Sequence, residues 1–119
     1  METCIPKPSL QARPLVGEEA AERLGTLFKC LSHPTRLRLL HALIRAGKMR
    51  VTDLANETEM STQAISNQLQ RLAELGIVHG TRNGLNVSYR VVDPCVPVLI
   101  ERGWCHIEEY DAAAAAASA

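Results

Sequence analysis

Aromatic residues and long apolar runs are both scarce in this chain of 119 residues. The aromatic side chains are Phe28, Tyr89, Trp104 and Tyr110. A core must therefore be built from leucine, isoleucine, valine and alanine, which favours packed helices. No apolar run approaches the roughly 20 residues of a membrane-spanning helix, so we expect no membrane partner. The first residues lack the basic and apolar regions of a secretory signal, and we therefore expect a cytoplasmic protein.

Net charge and catalytic motifs are also absent. Basic and acidic side chains cancel at 13 each, which argues against a protein that coats nucleic acid over its whole surface. The charges are nevertheless separated, because the stretch from Lys29 to Arg50 holds basic residues and no acid, whereas the stretch from Glu101 to Asp111 is mainly acidic. The chain contains no GxSxG elbow, phosphate-binding loop or HExxH motif. We therefore expect a protein that is not an enzyme.

The cysteines follow no familiar pattern. Cys4, Cys30, Cys95 and Cys105 form neither a CxxC pair nor a zinc-finger arrangement. In a reducing cytoplasm they are expected to carry thiols rather than disulfides. They are then core residues, metal ligands or redox sensors, and the spacing alone leaves these alternatives open.

Composition divides the chain into an arm, one domain and a tail. Residues 1–16 hold three of the six prolines and no apolar period, so we predict a flexible N-terminal arm. Residues 17–111 are of the size expected for a single domain. The alanine-rich residues 112–119 are of low complexity, and we predict a disordered tail there.

Two amphipathic helices open the predicted domain. Apolar residues recur at intervals of three and four from about Glu18 to Leu31, which predicts the first helix. The second is predicted from Pro34, a residue suited to a first helical turn, to about Ala46. We expect Arg36 and the other arginines of this helix to point largely outward.

Two short helices joined by a polar turn come next, and the second begins after Ser61 as its cap and ends near Glu74. This arrangement predicts a helix-turn-helix. Residues that favour strands flank Asn83-Gly84, which predicts a hairpin whose two central residues have positive φ. A closing helix is predicted from Asp93 to about Tyr110. The fold class is therefore mainly α with a small β-hairpin, in the order of a winged helix-turn-helix.

The closing helix carries possible metal ligands on one face. Cys95 and His106 are eleven positions apart, so they share a face but lie about 16 Å apart along the axis. One ion cannot reach both. If two copies lay antiparallel, Asp93 and Cys95 of one would meet His106 and Glu109 of the other. The sequence therefore predicts a symmetric dimer with two equivalent sites, each built from both chains.

Three segments carry a family resemblance. They are LSHPTRLRLL at residues 31–40, STQAISNQLQRL at residues 61–72, and the hairpin that leads into Asp93. In this order and spacing they resemble the ArsR/SmtB family of small dimeric repressors that sense metals or other thiol-reactive stresses. The resemblance covers roughly residues 18–110. It implies a homodimer formed through the N-terminal and C-terminal helices, which binds an inverted-repeat operator and leaves it when an effector binds.

The second helix of a helix-turn-helix enters the major groove of double-stranded DNA. Glutamine and asparagine can pair bidentately with adenine, whereas arginine and the wing are suited to the backbone or minor groove. A merely solvated polar face is the alternative, but this face is poor in the Glu and Lys that usually cover one. The candidate DNA-binding residues are Ser61, Thr62, Gln63, Ser66, Asn67, Gln68 and Arg71 on the helix, with Arg82 and Asn86 on the wing.

The resemblance also implies a regulatory site on the closing helices, with ligands in the pattern Asp-x-His and His-x-x-Glu or His. Here Asp93, Cys95, His106 and Glu109 fit that pattern, with a cysteine where the first histidine commonly stands. The thiolate softens the site, so the expected effector is zinc, cadmium, mercury, lead or arsenite. Alternatively, Asp93 is only a helix cap, Cys95 only packs, and His106 and Glu109 form a surface pair.

A second arrangement of thiols is also possible. Cys30 with Cys95 or Cys105, joined by Cys4 from the arm, would make a site of two or three sulfurs. Such a site would bind a soft ion or be oxidised as a dithiol switch. The alternative function is therefore a repressor that senses oxidants or reactive sulfur, although Cys30 lies among leucines and could equally be a core residue.

Overall fold

The computed structural model describes residues 5–118. A short 3₁₀ turn at Leu10–Ala12 precedes the domain, and Cys4 lies outside the described residues. The elements in chain order are α1 (Glu18–Leu31), α2 (Pro34–Ala46), β1 (Met49–Arg50), α3 (Val51–Thr58), α4 (Thr62–Glu74), β2 (Val78–Asn83), β3 (Asn86–Val91) and α5 (Cys95–Ser118). The predicted fold class, a mainly α winged helix-turn-helix, is confirmed.

The sheet has one strand more than the predicted hairpin. Strand β3 lies between β1 and β2, and both pairings are antiparallel. Asn83 pairs with Asn86, so the hairpin loop is Gly84-Leu85, one residue later than predicted. Gly84 has φ +68°, whereas Asn83 does not lie in the positive-φ region. A glycine at the first of two loop residues is what a type II′ turn requires, and a single positive φ there is sufficient.

Leucine and other aliphatic side chains from α2, α3 and α4 form the core, closed by the sheet and by the first turn of α5. Burying each large aliphatic side chain contributes about 1.5–3 kcal/mol to folding. This core packs α4 against α3 and β2. The fully buried side chains are those of Leu39, Leu40, Leu43, Leu54, Ile65, Leu69, Leu72, Ile77 and Val96.

Helix α1 packs less deeply than its apolar period suggests. Only Cys30 and Leu31 at its end are buried, whereas Leu24 and Phe28 keep 48% and 53% of their surface exposed. Large apolar side chains on a regular helical stripe are seldom left to solvent over such an area. The stripe of α1 is therefore available to a second chain.

Helix α5 is longer than predicted. It continues past Tyr110 through the alanines to Ser118, where we had expected a disordered tail. Alanine has the highest helix propensity of all residues, so low complexity here does not prevent helix formation. No helix among residues 5–118 is long and apolar enough to cross a membrane.

Candidate nucleic-acid interface and metal centre

Local capping sets the start of α4. The chain leaves α3 through Glu59, which has φ 59° and ψ 31° in the left-handed region. The Ser61 hydroxyl then accepts a 3.1 Å hydrogen bond from the Ala64 amide. This N-cap satisfies one of the amides that a helix start leaves without a partner. The two helices thus meet in the geometry of a helix-turn-helix, as predicted.

Helix α4 has one buried face and one exposed polar face. Ile65, Leu69 and Leu72 are fully buried. Gln63 and Asn67 lie one turn apart on the opposite face, where the Gln63 Nε2 donates to Asn67 Oδ1 at 3.1 Å. The exposed residues of this reading face are Thr62, Gln63, Ser66, Asn67, Gln70 and Arg71.

Gln70 is absent from the residues predicted to bind DNA, although it lies on the reading face. Its position five residues after the buried Ile65 places it about 140° around the helix from that side chain. A helical projection centred on Ile65 would have included it.

Gln68 lies at the edge of the core rather than on the reading face. It is half-buried, and its Oε1 accepts a 2.7 Å hydrogen bond from the Arg36 Nε. Arg36 is itself half-buried and also donates to the Cys30 carbonyl, so the expectation that it points outward is wrong. The cause is geometric, because Gln68 of α4 places a carboxamide oxygen within hydrogen-bond distance of the guanidinium.

The wing presents polar side chains around an exposed tip. Arg82, Asn83 and Asn86 are exposed, and Leu85 at the tip is 98% exposed. Farther down the wing, a Cβ atom at Gly80 would come within 2.9 Å of the Tyr89 ring. Glycine is therefore needed there for the ring to lie across the strand.

Three of the four predicted metal ligands lie along α5, and Asp93 lies two residues before its start. Asp93 Oδ1 accepts a 2.8 Å hydrogen bond from the Cys95 amide, and Cys95, His106 and Glu109 are exposed. Residues 5–118 of one chain bring together no group of three His, Cys, Asp or Glu side chains able to hold an ion. Cys95 and His106 lie about 16 Å apart along the helix axis, so one ion could not bind both within a single chain.

Three of the predicted ligands share an exposed flank of α5. Val96 is fully buried and lies about 100° from Cys95, whereas His106 is only about 20° from Cys95 and Glu109 about 40° on the other side. These three side chains therefore project from a common stripe. Carboxylate, thiolate and imidazole are donors that suit zinc and softer divalent ions.

The remaining thiols differ in their surroundings. Cys30 is 8% exposed and belongs to the core cluster, and its Sγ lies 3.4 Å from the Arg36 Nη1. Cys105 is half-buried on α5, about 80° around the helix from Cys95. The surroundings of Cys30 are those of a packed core residue.

An apolar groove runs between α1, α2 and α5. Its volume is about 570 Å³, and Phe28, Leu37 and Ile107 are among the side chains that line it. Trp104 of α5 meets His41 of α2 edge to face, with ring centroids 5.3 Å apart and planes at 86°. The groove joins the exposed stripe of α1 to the exposed aromatic side chains of α5.

Three comparisons with known proteins all find transcriptional regulators. The sequence pattern of bacterial regulatory proteins of the arsR family matches residues 33–79. The HTH-type transcriptional regulator NmtR of Mycobacterium tuberculosis is 39% identical over 90 residues, which cover 76% of this chain and 74% of that protein. The structure of the AntR antimony-specific transcriptional repressor is similar with a TM-score of 0.79 and 52% identity, covering 92% of this chain and 98% of that one.

A third similar structure is that of the homodimeric winged helix-turn-helix DNA-binding domain Mb0332 from Mycobacterium bovis. It is 26% identical, with a TM-score of 0.67, and covers 82% of this chain and 93% of that one.

Proposed function

Because the chain belongs to the arsR family of bacterial regulatory proteins, we propose that it is a homodimeric repressor released from operator DNA by a soft or borderline metal ion. Family membership confirms the resemblance found in the sequence. The proteins of known function that this chain is similar to are DNA-binding transcriptional regulators, so we assign it that role and not the role of an enzyme. The dimer, the inverted-repeat operator, the cytoplasmic location and the effector are the proposed parts. The single observation that carries the proposal is the exposed ligand stripe of α5.

Unpartnered apolar surface supports the dimer. Large apolar side chains on α1 and α5 are about half exposed or more, and the groove between these helices is apolar. They are Leu24 and Phe28 on α1, and Trp104, Ile107 and Tyr110 on α5. A two-fold interface would bury this surface once from each subunit. The likeness to a homodimeric winged helix-turn-helix domain from Mycobacterium bovis supports the same arrangement.

Antiparallel packing of two α5 helices would complete the metal site. Asp93 and Cys95 stand at the first turn, and His106 and Glu109 stand about three turns later. Each site would then take the carboxylate and thiolate of one subunit and the imidazole and carboxylate of the other. Cys105, half-buried and about 40° around the helix from Glu109, would be the candidate for a second sulfur from the partner helix.

Ligand chemistry favours soft ions. A thiolate in the set shifts preference toward cadmium, mercury and lead, with zinc still accommodated, and sulfur ligands also suit arsenite. The identity of 52% to an antimony-specific repressor adds trivalent antimony to this group. We propose that the effector is one of these thiophilic ions, with trivalent antimony and arsenite the first to test.

Release of DNA would follow from a difference in affinity. The ion must bind the dimer more tightly off the operator than on it, and couplings of about 1–3 kcal/mol are typical. Fixing the two α5 helices in one geometry would set the spacing of the two reading faces. By linkage, operator DNA must weaken metal binding by the same factor.

A thiol switch is the second candidate. Cys95 is exposed and Cys105 is half-buried on the same helix, so an antiparallel pair would bring thiols of two subunits near each other. Oxidation by peroxide or persulfide would then join or modify them. The buried position of Cys30 disfavours its direct part in this switch, and Cys4 lies outside the described residues.

The test is operator binding by fluorescence anisotropy with a duplex selected from random sequence by the wild-type dimer. Zinc, cadmium, mercury, lead, arsenite and antimonyl tartrate are titrated under reducing conditions, and peroxide is tested separately. We expect release by one or more of these ions, weakened at least tenfold in Cys95→Ser and His106→Ala. If both variants respond like the wild type, the inter-chain site on α5 is wrong. Release by peroxide alone would favour the thiol switch.

A further inference from the structure

One guanidinium joins α1 to the helix that carries the reading face. The Arg36 Nε donates to Gln68 Oε1 of α4 at 2.7 Å, and its Nη1 donates to the Cys30 carbonyl at the end of α1 at 2.9 Å. Arg36 and Gln68 are both half-buried, so water competes less for these bonds than at the surface. Charge-assisted bonds of this kind are roughly twice as strong as neutral ones.

The chemistry of the pair fixes the orientation of the carboxamide. A guanidinium has only donors, so the carbonyl oxygen of Gln68, and not its amino group, must face Arg36. The Gln68 Nε2 is left to donate elsewhere. A bidentate pairing of Gln68 with adenine would need the same oxygen as an acceptor. Gln68 is therefore better placed to hold α4 in position than to read a base by itself.

The position of Arg36 connects two surfaces with different proposed roles. Helix α1 carries the exposed apolar stripe around Phe28, and α4 carries the reading face around Asn67. Resting on the proposed function, we propose that Arg36 is the positioning residue that couples α1 to α4. A shift of the end of α1, as the subunits rearrange, moves the guanidinium and through Gln68 changes the orientation of the reading helix.

Directionality makes this coupling sensitive to small movements. Hydrogen bonds weaken steeply as the donor angle falls, so an ångström-scale shift at the Cys30 carbonyl cannot be absorbed without bending one of the two bonds. The core beneath α4, with Leu69 fully buried, resists compression. Either α4 follows the movement or the link to Gln68 is lost.

The coupling is tested by comparing variants of Gln68 that differ in their acceptor. Gln68→Met keeps the length of the side chain and removes the acceptor, whereas Gln68→Glu keeps an acceptor for Arg36. Gln70→Met, on the exposed face of the same helix, is the matched control. The measured quantity is the release factor, which is the ratio of operator Kd with and without antimonyl tartrate, arsenite or cadmium.

We expect the release factor of Gln68→Met to fall at least fivefold toward one. Gln68→Glu and Gln70→Met should keep the wild-type factor within about twofold, although both bind the operator more weakly. Arg36→Lys should reduce the factor, and combining it with Gln68→Met should add nothing, because both changes break the same link. This non-additivity separates a coupling role from a general loss of stability.

The contrary results are distinguishable. A Gln68→Met dimer that keeps the wild-type release factor, while the wild type responds normally, overturns the coupling and leaves the proposed function intact. A wild-type dimer that binds the selected duplex and ignores all three ions overturns the proposed function and the coupling together.

Discussion

The Asp93 carboxylate accepts a 2.8 Å hydrogen bond from the amide of Cys95, the first residue of α5. The bond uses the Oδ1 atom, and an ionised carboxylate has a second oxygen that can accept or coordinate as well. A helix cap and a metal ligand can therefore be the same side chain. The cap also holds Asp93 beside Cys95, which is the spacing that the proposed metal site needs.

Replacing Asp93 by asparagine should separate these two roles. Asparagine caps helices about as well as aspartate, so the free energy of unfolding of Asp93→Asn should stay within about 0.5 kcal/mol of the wild type. The neutral side chain is a poorer metal ligand, and metal affinity should fall at least tenfold. Asp93→Ala should lose both properties, with about 1 kcal/mol of stability lost in urea unfolding.

Ser61→Ala is the control for the loss of a cap elsewhere. It should cost about 1 kcal/mol of stability, because it removes the bond to the Ala64 amide, and leave metal affinity unchanged. Wild-type metal affinity in Asp93→Asn would mean that Asp93 only caps the helix.

A charge on the stripe of α1 should separate the subunits. Phe28 is 53% exposed in one chain, and Phe28→Glu would bury a carboxylate in the proposed interface. We expect the dimer dissociation constant, measured by analytical ultracentrifugation, to rise by at least tenfold. Leu85→Glu, at an exposed apolar residue on the otherwise polar wing tip, should leave the dimer intact. A wild type that sediments as a monomer at micromolar concentration would contradict the two-fold arrangement.

Arg82 on the wing should contribute to affinity without contributing to sequence preference. If it contacts one phosphate in each subunit, Arg82→Ala should lower the slope of log K against log salt by about 2 for the dimer. The preferred operator sequence should not change. Arg45→Ala provides the comparison, because Arg45 lies on α2 beside Glu57 at 3.6 Å and should not alter the slope.

Asn67 on the reading face, unlike Arg82, should contribute to sequence preference and not to the salt dependence of binding. Its exposed carboxamide is held by Gln63, which prepares it to meet a base edge. Asn67→Ala should cost about 1–3 kcal/mol of binding at the preferred operator and relax selectivity at one base pair, with the salt slope unchanged. Asn56→Ala on α3 should keep the selectivity. Selection from random duplexes by each variant measures the difference.

The wing should not tolerate a side chain at Gly80. A methyl group there would meet the Tyr89 ring within 2.9 Å, so ring or strand must shift. We expect Gly80→Ala to lower the free energy of unfolding by about 1 kcal/mol, the lower end of overpacking costs. Gly25→Ala in α1, where a new Cβ meets nothing within 4 Å, should be neutral or stabilising. Equal stabilities of the two variants would contradict the close approach.

Long periodic segments were predictable from the sequence. The bounds of α1, α2 and α4 are those that the apolar period and the Ser61 cap indicate. Short or weakly patterned elements were not. Strand β1 has only two residues, Met49 and Arg50, and it forms only because β3 offers a free edge. No local signal in two residues could have indicated a tertiary pairing of that kind.

Hydrogen bonds between side chains of distant elements could not be predicted from the sequence either. The polar pattern of α4 places Gln68 among the reading residues, yet its hydrogen bond comes from Arg36, 32 positions earlier. Only the hydrogen bond from Arg36 and the partial burial of Gln68 reveal that this residue belongs to the edge of the core. The stripe of predicted ligands, by contrast, depends on helical spacing, and the structure places Cys95, His106 and Glu109 on one continuous helix.

Trp104 rests edge to face against His41, and it is the chain's single tryptophan. Indole emission from this molecule therefore originates at one point, where α5, the helix that carries the proposed metal ligands, contacts α2, the helix that contains Arg36. Any sliding of one over the other alters the polarity around that ring and its quenching by the neighbouring imidazole. The fluorescence of Trp104 should therefore report movement between α2 and α5, and its time course could be followed in solution without attaching a dye.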